Sequence, residues 1–185
     1  MTDQLYHLPF TPGAHLLELG GGDKPMIRPN MDSRRLPTVD IVHSLADLPY
    51  PFPASLCDGI LLKFAAEHIS WKKVQAMCDE LYRITAPGGI VVLITPNTLA
   101  QCKLIAAEGE ITQDLESMLF GGQGYPEDTH ACAWSPKLAQ ERLFKAGFCR
   151  ILCQGVDLSG RPLPEERMTD MVIEAHKSKA EVRIG

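Results

Sequence analysis

Residues 15–19 (HLLEL) run straight into three glycines, Gly20, Gly21 and Gly22. An apolar run this short is too brief for a helix and reads as a buried strand. The glycines behind it let the backbone turn sharply and come close to a ligand or a neighbouring segment. A strand of this kind needs partner strands and cover on both faces, and the rest of the chain supplies candidates. Residues 39–42, 58–62 (DGILL) and 90–95 (IVVLIT) are further β-rich runs, the last launched by Gly88-Gly89 and stopped by Pro96. Residues 151–153 and 171–174 (MVIE) add two late strands.

Helical segments separate these runs. Ser70 is a candidate N-cap, with Trp71, Val74, Cys78, Leu81 and Tyr82 following at helical spacing until Pro87-Gly88. Residues 99–108 and 111–119 read as helices broken at Gly109, and Ser135-Pro136 opens another that Gly147 closes. Strands alternating with helices imply parallel βαβ units. The expected fold is therefore α/β, Rossmann-like, with a mainly parallel sheet of six or seven strands whose last strand is antiparallel. One interval breaks the pattern. Residues 22–32 hold both Pro25 and Pro29, which leaves too little room for a helix, so the first crossover is expected to be a loop or a single turn.

The chain has 185 residues, 45% hydrophobic and 22% charged, which suits one ordinary globular domain with a core of its own. A formal net charge of −5 removes the simplest electrostatic case for a nucleic-acid partner. The six cysteines form no CxxC pair and read as reduced, partly buried thiols of a cytoplasmic protein, and no metal site is expected. The N-terminus lacks the pattern of a signal peptide, and no apolar stretch is long enough to span a membrane. The glycine turn does not fit a dinucleotide fingerprint, because the third glycine would fall at Pro25 and no helix follows. No Gly-Lys-Ser/Thr sequence occurs, so a phosphate-binding P-loop is absent.

Several short motifs then follow in order: Glu18-Leu-Gly-Gly-Gly22, Asn30-Met-Asp32, Asp40 to Pro49 (DIVHSLADLP), Cys57-Asp-Gly-Ile60, Glu67-His-Ile69 and Ala86-Pro-Gly-Gly89. This set resembles the class I S-adenosylmethionine-dependent methyltransferases, over residues 14–97 with a weaker echo to 176. The resemblance implies S-adenosylmethionine as cofactor and a methyltransferase activity. It implies that Glu18, Gly20, Gly21 and Gly22 hold the methionine half, that Asp32 grips the ribose hydroxyls, and that Asp47 and Leu48 flank the adenine. Lys63 joins this cofactor set, where Lys63-Phe-Ala-Ala66 begins the acceptor side. Residues 14–97 would form the cofactor half, 98–135 an acceptor cover, and 136–176 a final helix and two strands.

Methyl transfer asks mainly for positioning, and a base only where the acceptor must lose a proton. The candidate catalytic residues are Glu67, His68 and His130. His43, in an apolar strand, reads as a packed histidine. Residues 120–130 (FGGQGYPEDTH) combine glycines, an aromatic and a histidine in the manner of a lid, with Tyr125 and Trp134 placed to exclude water. The expected acceptor is a small molecule or a saccharide. Two alternatives stay open: a non-catalytic cofactor sensor or partner subunit, and an RNA methyltransferase.

Overall fold

The computed structural model describes residues 8–156 and 168–179. Its elements run β1 (Leu16–Leu19), β2 (Asn30–Asp32), β3 (Ile41–Val42), β4 (Cys57–Lys63), a 3-10 turn (Ala66–His68), α1 (Val74–Ile84), β5 (Thr85–Pro96), α2 (Thr98–Glu108), α3 (Gln113–Phe120), α4 (Pro136–Ala146), β6 (Arg150–Val156) and β7 (Asp170–His176). The seven strands form one sheet in the order β3-β2-β1-β4-β5-β7-β6. All pairs from β3 through β5 are parallel, and β7 runs antiparallel to both β5 and β6. This is the Rossmann-like arrangement the alternation of runs predicts.

The central strands are apolar on both faces, yet their side chains still divide by the period of two. Ile60 and Leu62 of β4, Val91 and Leu93 of β5, and Ile173 and Ala175 of β7 belong to the larger core. Leu61, Val92, Ile94 and Val172 point into a smaller core on the other face, with Ile27 from the first crossover. The register aligns these sets: Ile60 pairs with Val91, and Val91 with Ala175. Helix α1 covers the larger core with Val74, Met77, Cys78, Leu81 and Ile84, all buried at helical spacing. Helix α4 adds Ala139 and Leu143. Its ends are as expected, with Ser135 accepting a hydrogen bond from the Leu138 N–H and Gly147 in the left-handed conformation.

Three expectations need correction. The run at 39–42 is the third strand, not the second. The second is Asn30–Asp32, whose polar residues are buried because the segment lies between β1 and β3. Helix α1 begins at Val74 rather than after a Ser70 cap. Trp71 is 67% exposed, because its segment is a turn whose N–H is held by the Ala131 carbonyl. Trp134 is fully buried in the larger core and is no part of a cover. Residues 23–29, in contrast, contain no helix, as their prolines require. Most of the exposed connection expected at 155–167 lies outside the described residues. No helix among the described residues is long and apolar enough to cross a membrane, and the six cysteines are free.

Candidate functional site

The carboxyl ends of β1, β2 and β4 meet around a cavity of about 340 Å³. Ligands of open α/β sheets bind at that edge, and small-molecule sites start at about 300 Å³. Gly20 and Asp32 line the cavity together with Ser44, Leu45, Ala46, Phe64 and Tyr125. Gly20 sits at φ 77°, and a Cβ built on it would stand 2.5 Å from the Ala65 Cβ. The glycine therefore allows the β1 turn to touch the chain leaving β4, and this contact closes the floor of the cavity.

Glu18 does something the resemblance does not anticipate. Its Oε2 accepts from the backbone N–H groups of Met26, at 2.6 Å, and Ile27, at 2.7 Å. Burial raises its pKa against the opposing pull of these two bonds and of Lys63. The carboxylate thus fastens the helix-free crossover to the sheet, satisfying N–H groups that a helix would otherwise have used. Asp32 closes the same loop from the other side. Its Oδ2 accepts from the Gly22 N–H at 3.0 Å, and its Oδ1 accepts from the Arg34 N–H and Nε.

The sequence-predicted cofactor residues divide accordingly. Gly20 and Asp32 line the cavity; Glu18, Gly21 and Gly22 build the turn beneath it. Asp47 and Leu48 are exposed outside the lining, and the neighbouring Leu45 and Ala46 face the cavity instead. Lys63 is exposed at the end of β4 and also stands outside it. His43 is half-buried, its Nε2 2.8 Å from the Asp47 carbonyl oxygen and its ring edge-on to Tyr50.

A second cavity of about 390 Å³ adjoins the first and shares Phe64, His68 and Tyr125 with it. Glu67, Gln101, Asp128, His130 and Asp170 bring polar groups to its wall, beside Pro96 and Met118. All three candidate catalytic residues meet here. One ligating atom each from Glu67, His68 and His130 lies within 4.8 Å of the other two, and the two rings are 5.2 Å apart. Glu67 is buried, with Oε2 accepting from Thr95 Oγ1 at 3.1 Å, and burial pushes its pKa up to about 7. Burial, followed by the charge of His68, lowers the pKa of His130.

Backbone bonds explain why residues so far apart in sequence converge. The N–H groups of Ala131 and Cys132 donate to the Glu67 carbonyl, and the His130 N–H donates to the Phe120 carbonyl. The Nδ1 of His68 donates to the Thr129 carbonyl. The tip of the loop is folded around Asp128, which accepts from the Gly124 N–H through its carboxylate and from the Gln123 N–H through its carbonyl. Tyr125 packs under the Arg34 guanidinium, 4.3 Å from ring centroid to Cζ. The loop therefore reaches over the first cavity as well as the second. Sequence reasoning missed Arg34 and residues 44–46, because nothing local marks them as facing a cavity.

Residues 23–93 match the family model described as a methyltransferase domain. In fold the chain is similar to an S-adenosylmethionine-dependent methyltransferase from Archaeoglobus fulgidus, with a TM-score of 0.64 at 14% identity, covering 89% of this chain and 87% of that one. It is similar to another from Mesorhizobium loti, with a TM-score of 0.62 at 15% identity over 92% and 94% of the two chains. A third is the 1,6-didemethyltoxoflavin-N1-methyltransferase of Burkholderia thailandensis, solved with bound 1,6-didemethyltoxoflavin and S-adenosylhomocysteine, with a TM-score of 0.55 at 15% identity over 89% and 71%. No curated protein matches the chain.

Proposed function

We propose that this chain is a class I S-adenosylmethionine-dependent methyltransferase, a reading supported by its fold and by the methyltransferase-domain match over residues 23–93, and that it methylates a small polar acceptor, a metabolite or a saccharide, bound in the second cavity. The observation that carries this reading is the shared wall. Phe64, His68 and Tyr125 line both cavities, so a cofactor in the first and an acceptor in the second would be neighbours. S-adenosylmethionine supplies a methyl group already activated on its sulfonium, which leaves positioning as the main task of the protein.

The residues of the first cavity fit the cofactor in its essentials. The Gly20 turn gives close backbone approach. Asp32 retains acceptor capacity for ribose hydroxyls beside its bonds to Gly22 and Arg34. Leu45 and Ala46 offer an apolar wall to the adenine, in place of Asp47 and Leu48. Within residues 98–135 the loop at 120–130 serves as cover, with Tyr125 over both ligands. Glu67, His68 and His130 handle the nucleophilic atom of the acceptor, a hydroxyl or amine for which Gln101 and Asp128 provide further hydrogen bonds.

Calorimetry with S-adenosylhomocysteine should show one site. Incubation with methyl-labelled S-adenosylmethionine and fractionated small molecules should then label a discrete product, and His130→Ala should lower that turnover by about 10²-fold or more. Absence of binding by either cofactor form at millimolar concentration would sink the reading. Binding without turnover against any fraction would instead favour the sensor, for which the engagement of Asp32 by Arg34 is the supporting feature.

A further inference from the structure

We propose that Glu67, His68 and His130 form a binding site for a first-row divalent transition-metal ion, opening on the second cavity. Two imidazoles and one carboxylate converge there, with one ligating atom from each within 4.8 Å of the others. Around an ion with bonds of about 2.0–2.2 Å the ligand atoms stand about 3–3.5 Å apart, so closure requires only small side-chain shifts.

The carboxylate supplies the independent evidence. Glu67 is 2% exposed, and its Oε1 has no hydrogen-bond partner among the described residues. A buried carboxylate oxygen left unpaired is costly, and buried charges in proteins are paired or coordinate metals. Its other oxygen is fixed by Thr95 Oγ1, which leaves Oε1 as the free ligand.

The surrounding contacts are those a metal site needs. His68 donates its Nδ1–H to the Thr129 carbonyl, which sets the tautomer that keeps a lone pair on Nε2. His130 is held through its backbone, whose N–H donates to the Phe120 carbonyl. Mixed imidazole and carboxylate donors suit zinc, manganese, iron(II) or cobalt, whereas calcium and magnesium prefer all-oxygen shells. Three protein ligands leave coordination positions open toward Gln101 and Asp128 on the cavity wall. In the proposed methyl transfer, and resting on that reading, the three residues hold the ion and the ion holds an oxygen of the acceptor beside the cofactor cavity. Metal binding itself does not depend on it.

The test uses the full chain without cofactor, titrated with Co²⁺ by absorption spectroscopy and with Zn²⁺ by calorimetry. One ion per chain is expected, with cobalt d–d bands and no near-ultraviolet sulfur-to-cobalt charge transfer. Glu67→Gln, which keeps the Thr95 hydrogen bond, and His130→Ala should each weaken binding by at least about 10²-fold, since outer-shell changes alone cost 10–100-fold. Cys132→Ser should leave affinity unchanged. Thermal melting and S-adenosylhomocysteine binding report whether each variant is folded. No stoichiometric binding to the wild-type chain, or equal binding by folded Glu67→Gln and His130→Ala, overturns the site. If the homologue of the cofactor binds and the metal does not, only this inference falls; if the metal binds and the cofactor does not, the site stands and the methyltransferase reading falls.

Discussion

Replacing Gly20 by alanine tests the contact that closes the floor of the proposed cofactor cavity. The residue has φ 77°, a conformation that costs an L-residue about 1–2 kcal/mol. The added Cβ would stand 2.5 Å from the Ala65 Cβ, well inside van der Waals contact, and overpacking of this kind costs about 1–3 kcal/mol. Gly20→Ala should therefore destabilise the chain by about 2–5 kcal/mol, lowering the melting temperature by roughly 5–15 °C for a protein of this size. The second part of the cost is separable. Ala65→Gly alone should cost about 1–2 kcal/mol through lost burial and added chain freedom. In the double variant the two Cβ atoms no longer meet, so the pair should be about 1–3 kcal/mol more stable than the sum of the single changes. Urea denaturation of all four proteins measures this coupling. A coupling below about 0.5 kcal/mol, the ordinary error of additivity, would refute the contact, and Gly20 would then be required by backbone conformation alone.

Asp32→Asn should weaken S-adenosylhomocysteine binding about ten- to a hundredfold, the loss of a charge-assisted bond of about 1.5–3 kcal/mol; calorimetry checks it, and unchanged affinity would remove Asp32 from the ribose. Glu80 accepts from the Tyr50 N–H at 2.7 Å and from Arg83, whose hydrogen bond holds its pKa below the ordinary 4.5. A depressed carboxylate stabilises above its unfolded pKa and loses that contribution as pH falls through the folded value. Glu80→Gln should accordingly cost about 1–3 kcal/mol at neutral pH, and the difference should shrink as pH falls below 4.5 and through the lowered folded value, as read by urea titration. Arg34→Ala removes a cation–π contact of about 0.5–1 kcal/mol with Tyr125. The amides of Gln123, Gly124 and Asp128 should then exchange about two- to fivefold faster, and unaltered exchange would show that Arg34 does not hold the loop.

The sequence is readable where a local signal has a local cause. Ser135-Pro136 and Gly147 bound α4 because a cap, a fixed φ and a left-handed residue act within one turn. Residues 90–95 could only be a buried strand. Asn30–Asp32 escaped this logic: three residues, two of them polar, become a strand only because β1 and β3 flank them, and that pairing is non-local. Trp71 and Trp134 were exchanged in role for the same reason. A helical spacing favours burial of Trp71, but the Ala131 carbonyl holds its N–H outside the helix, while Trp134 enters the core beside α4. Of the candidate site, the types of Glu67, His68 and His130 were legible as chemistry. Their convergence was not, since it depends on the bonds from Ala131 and Cys132 to the Glu67 carbonyl.

The loop after α3 joins the two halves of the proposed reaction. Tyr125 lines both cavities and packs beneath Arg34, which itself binds the carboxylate of Asp32. The groups proposed to meet the ribose are thus one contact from the cover, and the cover carries Thr129 and His130 to the acceptor side. A cofactor ribose bonded to Asp32 would share that carboxylate with Arg34, and any shift of Arg34 bears on Tyr125. Coupling of this kind requires a differential contact in the two states, and a change at Arg34, which touches both Asp32 and Tyr125, would be one. It favours an order in which cofactor enters first and the acceptor pocket is completed around it, because the wall of the second cavity is built partly from residues that the first ligand touches.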